Sequence, residues 1–159
     1  MRKLDRFDRK LLDAVQRDAS LTTDVLAERI GLSASAVQRR LKRLRADGVI
    51  AAIAAVVDPA KVDRPSFFVT GLEVERERPE LMARLRAWLA AEEQVQQSFY
   101  VTGPWDFILV VVAPDVEAYD MLMSRLLAEN PNVRRFTTNV VLGSHKRSLF
   151  VPIAEGLER

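Results

Sequence analysis

Eight side chains within thirteen positions carry the most suggestive chemistry in this chain: Ser33, Ser35, Gln38, Arg39, Arg40, Lys42, Arg43 and Arg45. A guanidinium can pair with a guanine edge, an amide with an adenine edge, and any Lys or Arg can neutralise a phosphate. Advancing 100° per residue from Val37 places Val37, Leu41 and Leu44 in one apolar stripe, with Ser35, Arg39 and Lys42 opposite. Ala36 and Arg43 fall on one flank, Gln38 and Arg45 on the other. Such a helix suits the major groove of duplex DNA. Ser33, Ser35, Gln38 and Arg39, near its start, are assigned to base edges; Arg40, Lys42, Arg43 and Arg45 are assigned to phosphates. A solvated, charged helix in a three-helix bundle is the competing reading of the same pattern.

The preceding residues supply what would position that helix. Leu4, Phe7, Leu11, Leu12 and Val15 recur at three- and four-residue spacing, which predicts a first helix, and Ala19-Ser20 breaks it. Thr22 or Thr23 can cap a second helix with Leu26, Ala27 and Ile30 facing inward. Gly31 ends it where a left-handed residue costs little, Leu32 plugs the turn, and Ser33 caps the third helix, which stops at Gly48. Two helices joined this way form a helix-turn-helix. The apolar, partly β-branched run 49–57 predicts a strand leading out of the module, as a short wing. Residues 58–65, with two prolines and several charges, read as a hinge.

Charge follows the same division. Residues 1–50 hold 12 Lys and Arg against 7 Asp and Glu, whereas 51–159 hold 12 against 15, so the net +2 conceals one basic module. Without Cys there is no disulfide framework or thiolate metal site, and His145 alone cannot make a His cluster. No run approaches the roughly 18 apolar residues of a membrane span, and the first residues lack an apolar signal core. A cytoplasmic protein with no cofactor and no membrane partner is expected.

Beyond the hinge the pattern reads strand (67–75), helix from Pro79, strand (95–102), turn, strand (107–112), helix after Asp115, and a long strand (133–142). The 107–112 strand is unbroken in its apolar character and is expected to be central and covered on both faces. This βαββαβ order is the split, ferredoxin-like arrangement, and the whole chain is α+β. Trp88, Tyr119 and Met123 are expected in its core. Tyr100, Thr102, Gly103, Asp106, Thr137 and Thr138 form a candidate small-molecule site. Gly103 would let a ligand approach backbone N–H groups that hold a carboxylate, Asp106 would receive an ammonium, and the hydroxyls would complete an amino-acid-shaped pocket. A plain hairpin turn with surface threonines is the alternative.

The motifs together resemble the Lrp/AsnC, or feast–famine, transcriptional regulators over residues 4 to about 153. The resemblance is carried by Leu4-Asp5-x-x-Asp8-x-x-Leu11-Leu12, by Leu26-Ala27-x-x-Ile30-Gly31-Leu32-Ser33, and by Val37-x-x-Arg40-Leu41-x-x-Leu44-x-x-x-Gly48-Val49-Ile50. It continues in Val101-Thr102-Gly103-x-x-Asp106 and in Val133-x-x-x-x-Thr138-x-Val140-Val141-Leu142-x-x-x-Lys146. There are two departures from it: Asp63 stands where the family often has Gly, and Pro104-Trp105 replaces a commoner acidic-aromatic pair. The resemblance implies a winged helix-turn-helix (1–57), a hinge (58–65) and a ferredoxin-like effector and oligomerisation domain (66–159). It implies double-stranded DNA as partner, an amino acid bound between subunits as effector, and homodimers that build tetramers or octamers. It implies a regulator rather than an enzyme. A nucleoid-type binder would share this fold, and the related siroheme decarboxylases rely on histidines, of which this chain has one.

Overall fold

A computed structural model describes residues 3–63 and 65–153; Arg64 of the expected hinge and residues 154–159 lie outside the described residues. The chain divides into two compact units, one built from residues up to Val56 together with the segment from Lys146 onward, the other spanning Val57–His145.

The first unit contains α1 (Arg6–Arg17), α2 (Thr23–Ile30) and α3 (Ala34–Ala46). Each begins on a side-chain oxygen that satisfies an amide the helix leaves orphaned: Asp5, Thr22 and Ser33. At α1 the cap is reciprocal, Asp5 accepting from the Asp8 amide while Asp8 accepts from the Asp5 amide. Gly31 closes α2 at φ 76° and Gly48 follows α3 at φ 69°, left-handed values that a Cβ would strain. Leu11, Leu26, Ala27, Ile30, Val37 and Leu41 form the core, with Phe7, Leu32 and Ile50 packed against it.

The strand expected over 49–57 does not form among the described residues. The Val49 and Ile50 amides both turn back to the Leu44 carbonyl. Beyond them no neighbouring strand accepts the backbone, and Ile53, Val56 and Val57 stay exposed. Local apolar character suggests a strand; only a partner makes one. The hinge holds a short 3-10 turn, Pro59–Lys61, capped by Asp58. Asp63 adopts φ 44°, so the residue that stands in place of Gly takes a left-handed conformation that Asp tolerates better than most.

The second unit is a four-stranded antiparallel sheet in the order β2-β3-β1-β4. Its strands are β1 (Ser66–Val74), β2 (Val95–Tyr100), β3 (Phe107–Ala113) and β4 (Val133–Val140), with α4 (Pro79–Ala91) and α5 (Val116–Glu129) between them. Phe68 and Leu72 of β1 and Phe107, Leu109, Val111 and Ala113 of β3 share one core with Met82, Leu85 and Leu89 of α4 and Tyr119, Leu122, Met123 and Leu126 of α5. Trp88 packs at its edge and donates to Glu129 at 2.7 Å. β3 is central but not covered on both faces. Its residues alternate, with Ile108, Val110 and Val112 only half-buried, because both helices lie on one side of the sheet. No helix among the described residues is long and apolar enough to cross a membrane.

Candidate nucleic-acid interface and effector loop

The two faces of α3 separate cleanly. Val37, Leu41 and Leu44 are buried, whereas Ser33, Ser35, Gln38, Arg39, Lys42 and Arg45 are exposed. The Ser33 hydroxyl accepts the Ala36 amide and lies 3.2 Å from the Ser35 hydroxyl, so the helix start carries two polar groups side by side. Two expected phosphate ligands are engaged elsewhere. Arg40 donates to Asp5 at 2.6 Å and to Asp8 at 2.8 Å, and Arg43 pairs with Asp8 at 2.6 Å. Both arginines lie on the flank of α3 that meets α1, which a wheel of α3 alone does not distinguish from a solvated flank. The signal available in the sequence was Asp8, a second carboxylate one turn into an amphipathic helix.

This network has electrostatic consequences. Burial pushes the Asp5 carboxyl up, but hydrogen bonds from the Asp8 amide and the Arg40 guanidinium outweigh it and hold Asp5 below its ordinary value. The same hydrogen bonds, to Asp5 first and Asp8 second, raise the Arg40 guanidinium. Arg40 also lies over the Phe7 ring, 5.5 Å from its centroid.

The six candidate effector residues do not converge as a set. Thr102 and Gly103 are exposed in the β2–β3 turn, where Gly103 adopts φ 125°. Asp106 immediately precedes β3, and its carboxylate accepts the Val74 amide at 2.7 Å while its own amide donates to the Leu72 carbonyl at 2.8 Å. That carboxylate bonds the backbone where β1 and β4 shift register, between Glu73 and Val74. The ammonium-binding role expected of Asp106 therefore competes with a structural one.

Thr137 and Thr138, adjacent in β4, point to opposite faces. Thr137 is exposed beside Gly71, while Thr138 turns toward the helices and its hydroxyl meets the Tyr119 hydroxyl at 2.6 Å. Tyr119 in turn meets the wholly buried Thr70 hydroxyl at 2.8 Å and stacks on Phe68. Tyr119 is thus a core residue, as expected, but one that joins two strands through a hydroxyl chain. Tyr100 shares the helix-side face with its pairing partner Phe107 and donates to Glu77 at 3.0 Å, a bond that raises its phenol above the ordinary value.

One residue outside that set belongs with the loop. The Trp105 ring lies against Gly71, where an added Cβ would stand 2.5 Å from ring carbons. Gly71 pairs with Thr137 on one side and Ile108 on the other, so the indole lies on the face opposite the helices, the face that Thr137 shares. Pro104-Trp105 was visible as a departure in the sequence. Its landing place was not, because the contact spans more than thirty residues.

Comparison with known proteins covers both units. A profile for the Lrp/AsnC ligand binding domain matches residues 68–149, and one for a winged helix-turn-helix DNA-binding domain matches residues 4–51. An uncharacterised HTH-type transcriptional regulator from Sinorhizobium fredii is 42% identical over 151 residues, 95% of this chain and 89% of the relative. The leucine-responsive regulatory protein of Salmonella typhimurium is 30% identical over 145 residues, 91% of this chain and 88% of the relative. A Neisseria meningitidis transcriptional regulator, solved as its L-Met complex, superposes with a TM-score of 0.83 at 27% identity, covering 94% of this chain and 97% of that one.

Proposed function

The chain belongs to the Lrp/AsnC family of DNA-binding transcriptional regulators, and from that premise we propose how its own residues divide the work. The exposed face of α3 reads an operator: Ser33, Ser35, Gln38 and Arg39 meet base edges, and Lys42 and Arg45 meet phosphates. What supports this assignment is the separation of faces on α3, with six polar side chains in solvent and three aliphatic ones buried, Val37 and Leu41 among them in the core shared with α1 and α2. Arg40 and Arg43 are left out of the phosphate set because carboxylates of α1 hold them.

An amino acid is the proposed effector, received at the turn 101–106. The support is the Neisseria meningitidis regulator's L-Met complex and an exposed turn in which Gly103, at φ 125° and with open space around it, leaves the backbone unshielded for a ligand's approach. Within this reading Thr102, Gly103 and Thr137 face the effector and Trp105 walls it. Asp106 holds the loop in place, and Thr138 and Tyr100 support the sheet from its helix side. The chain acts by binding rather than catalysis, in the cytoplasm, as a homodimer or a larger assembly. The exposed apolar run 51–57 and the half-covered sheet face would pair with another copy. Two recognition helices would then take half-sites about one helical turn apart.

Genomic fragments retained by the full-length chain, selected with and without a panel of amino acids, would supply the operator. On that operator Arg39→Ala is expected to cost roughly 1–3 kcal/mol concentrated at particular base positions. Lys42→Ala should weaken binding on every sequence and make the salt dependence shallower by about 1. Wild-type affinity for both variants would defeat the assignment, and unchanged fragment selection across the panel would defeat the effector reading.

A further inference from the structure

Asp8 is the only charged residue among the described residues that the structure buries, 1% exposed, and no part of the DNA-reading or effector roles above uses it. Both its oxygens are engaged. Oδ1 accepts from Arg40 at 2.8 Å, and Oδ2 pairs with Arg43 at 2.6 Å while accepting the Asp5 amide at 3.2 Å. Asp5 takes Arg40 as well, at 2.6 Å. Two of the five cations of α3 thus face two carboxylates of α1, and Arg39, Lys42 and Arg45 remain on the solvent side.

We propose that Asp8 is a specificity-determining positioning residue, one that withholds Arg40 and Arg43 from the phosphate backbone and so keeps binding dependent on base contacts. Stability alone is a weak reason for the arrangement, since the desolvation of a buried carboxylate offsets much of what its ion pairs return. Its effect on DNA is larger. Cations free on the flanks of a groove helix would add phosphate contacts to any duplex, raising affinity for every sequence alike. Holding two of them suppresses the wrong partners more than the right one. It also fixes the rotation of α3 about its own axis, because two guanidiniums one turn apart converge on one carboxylate. The proposal rests on α3 being the groove helix.

The test is a salt titration of full-length variants on a selected operator and on unrelated duplex of equal length. Asp8→Asn keeps the shape and removes the charge. It is expected to bind unrelated duplex more tightly, to steepen the logarithmic salt slope there by about 1 to 2, and to lower the ratio of operator to unrelated affinity. A purely structural role predicts proportionate weakening on both duplexes at an unchanged slope, and that result would overturn the proposal. So would wild-type slope and ratio. Should Asp8→Asn fail to fold, Arg43→Gln decides: it is expected to keep the wild-type slope, and a slope shallower by about 1 would show Arg43 on a phosphate. Lys42→Ala, run alongside, separates the two failures. If the Lys42→Ala slope falls while Asp8→Asn behaves as wild type, the role of Asp8 alone fails; if the Lys42→Ala slope also stays at the wild-type value, the reading of α3 fails and the role of Asp8 with it.

Discussion

Asp5 shows how one carboxylate serves two ends. It caps α1 through the Phe7 and Asp8 amides, and it also binds the Arg40 guanidinium of α3. The result is a carboxyl held below its ordinary value. Such a group favours the folded state while it is ionised. That contribution is complete above the unfolded value, near 3.8, and fades as pH falls through the lower folded one. Asp13 beside Arg17 and Asp18 beside Ser20 are lowered too and act in the same direction. The amino-terminal unit is therefore expected to melt progressively earlier as pH drops below about 4. Circular dichroism melts between pH 6 and 2 would read this, and Asp5→Asn should flatten the acid dependence. An identical dependence in the variant would assign the effect elsewhere.

Elements differ in how much of them a sequence declares. The caps at Thr22 and Ser33 and the stop at Gly31 were legible because a cap is a contact between residues two or three apart. The βαββαβ order was legible for a similar reason, each element carrying its own periodicity. What could not be read is set across elements. The flank of α3 that meets α1 turned Arg40 and Arg43 inward, and the alternation of β4 sent Thr137 and Thr138 to opposite faces once β1 fixed its register. The run 49–57 had the composition of a strand but, among the described residues, no neighbouring strand to bond with.

The Trp105–Gly71 contact ties the β2–β3 turn to the middle of β1. Gly71→Ala would put a methyl group where the indole lies, and the ring must move. We expect a loss of about 1–3 kcal/mol, the usual range for overpacking, together with a changed tryptophan emission. The emission change should vanish when Trp105 is also replaced by Phe, leaving the Trp88 signal. Wild-type stability and emission for Gly71→Ala would place the indole elsewhere in solution.

The whole molecule is not divided as the sequence suggested. A continuous domain over 66–159 was expected, yet the segment from Lys146 groups with the amino-terminal unit. Gln16 of α1 holds that segment in both directions, donating to the Val151 carbonyl at 3.2 Å and accepting the Val151 amide at 2.8 Å. Arg17 lies over the Phe150 ring, 4.7 Å from its centroid. An amide side chain that imitates a strand neighbour leaves no periodic trace, which is why the sequence concealed it. Gln16→Ala is expected to speed tryptic cleavage after Lys146 and Arg147, with only a small change in the melting of the unit. Cleavage at the wild-type rate would show that Gln16 does not retain the segment.

The return of the segment to α1 also bears on synthesis. Residues 57–145 can close their sheet and core as soon as they have left the ribosome, for every strand and helix of that unit lies within them. The helices of the DNA-reading unit are made first but receive their last contacts only when Val151 emerges. The part translated earliest is thus completed latest, and a chain released after residue 145 would carry a finished sheet unit beside an unfinished DNA-binding one.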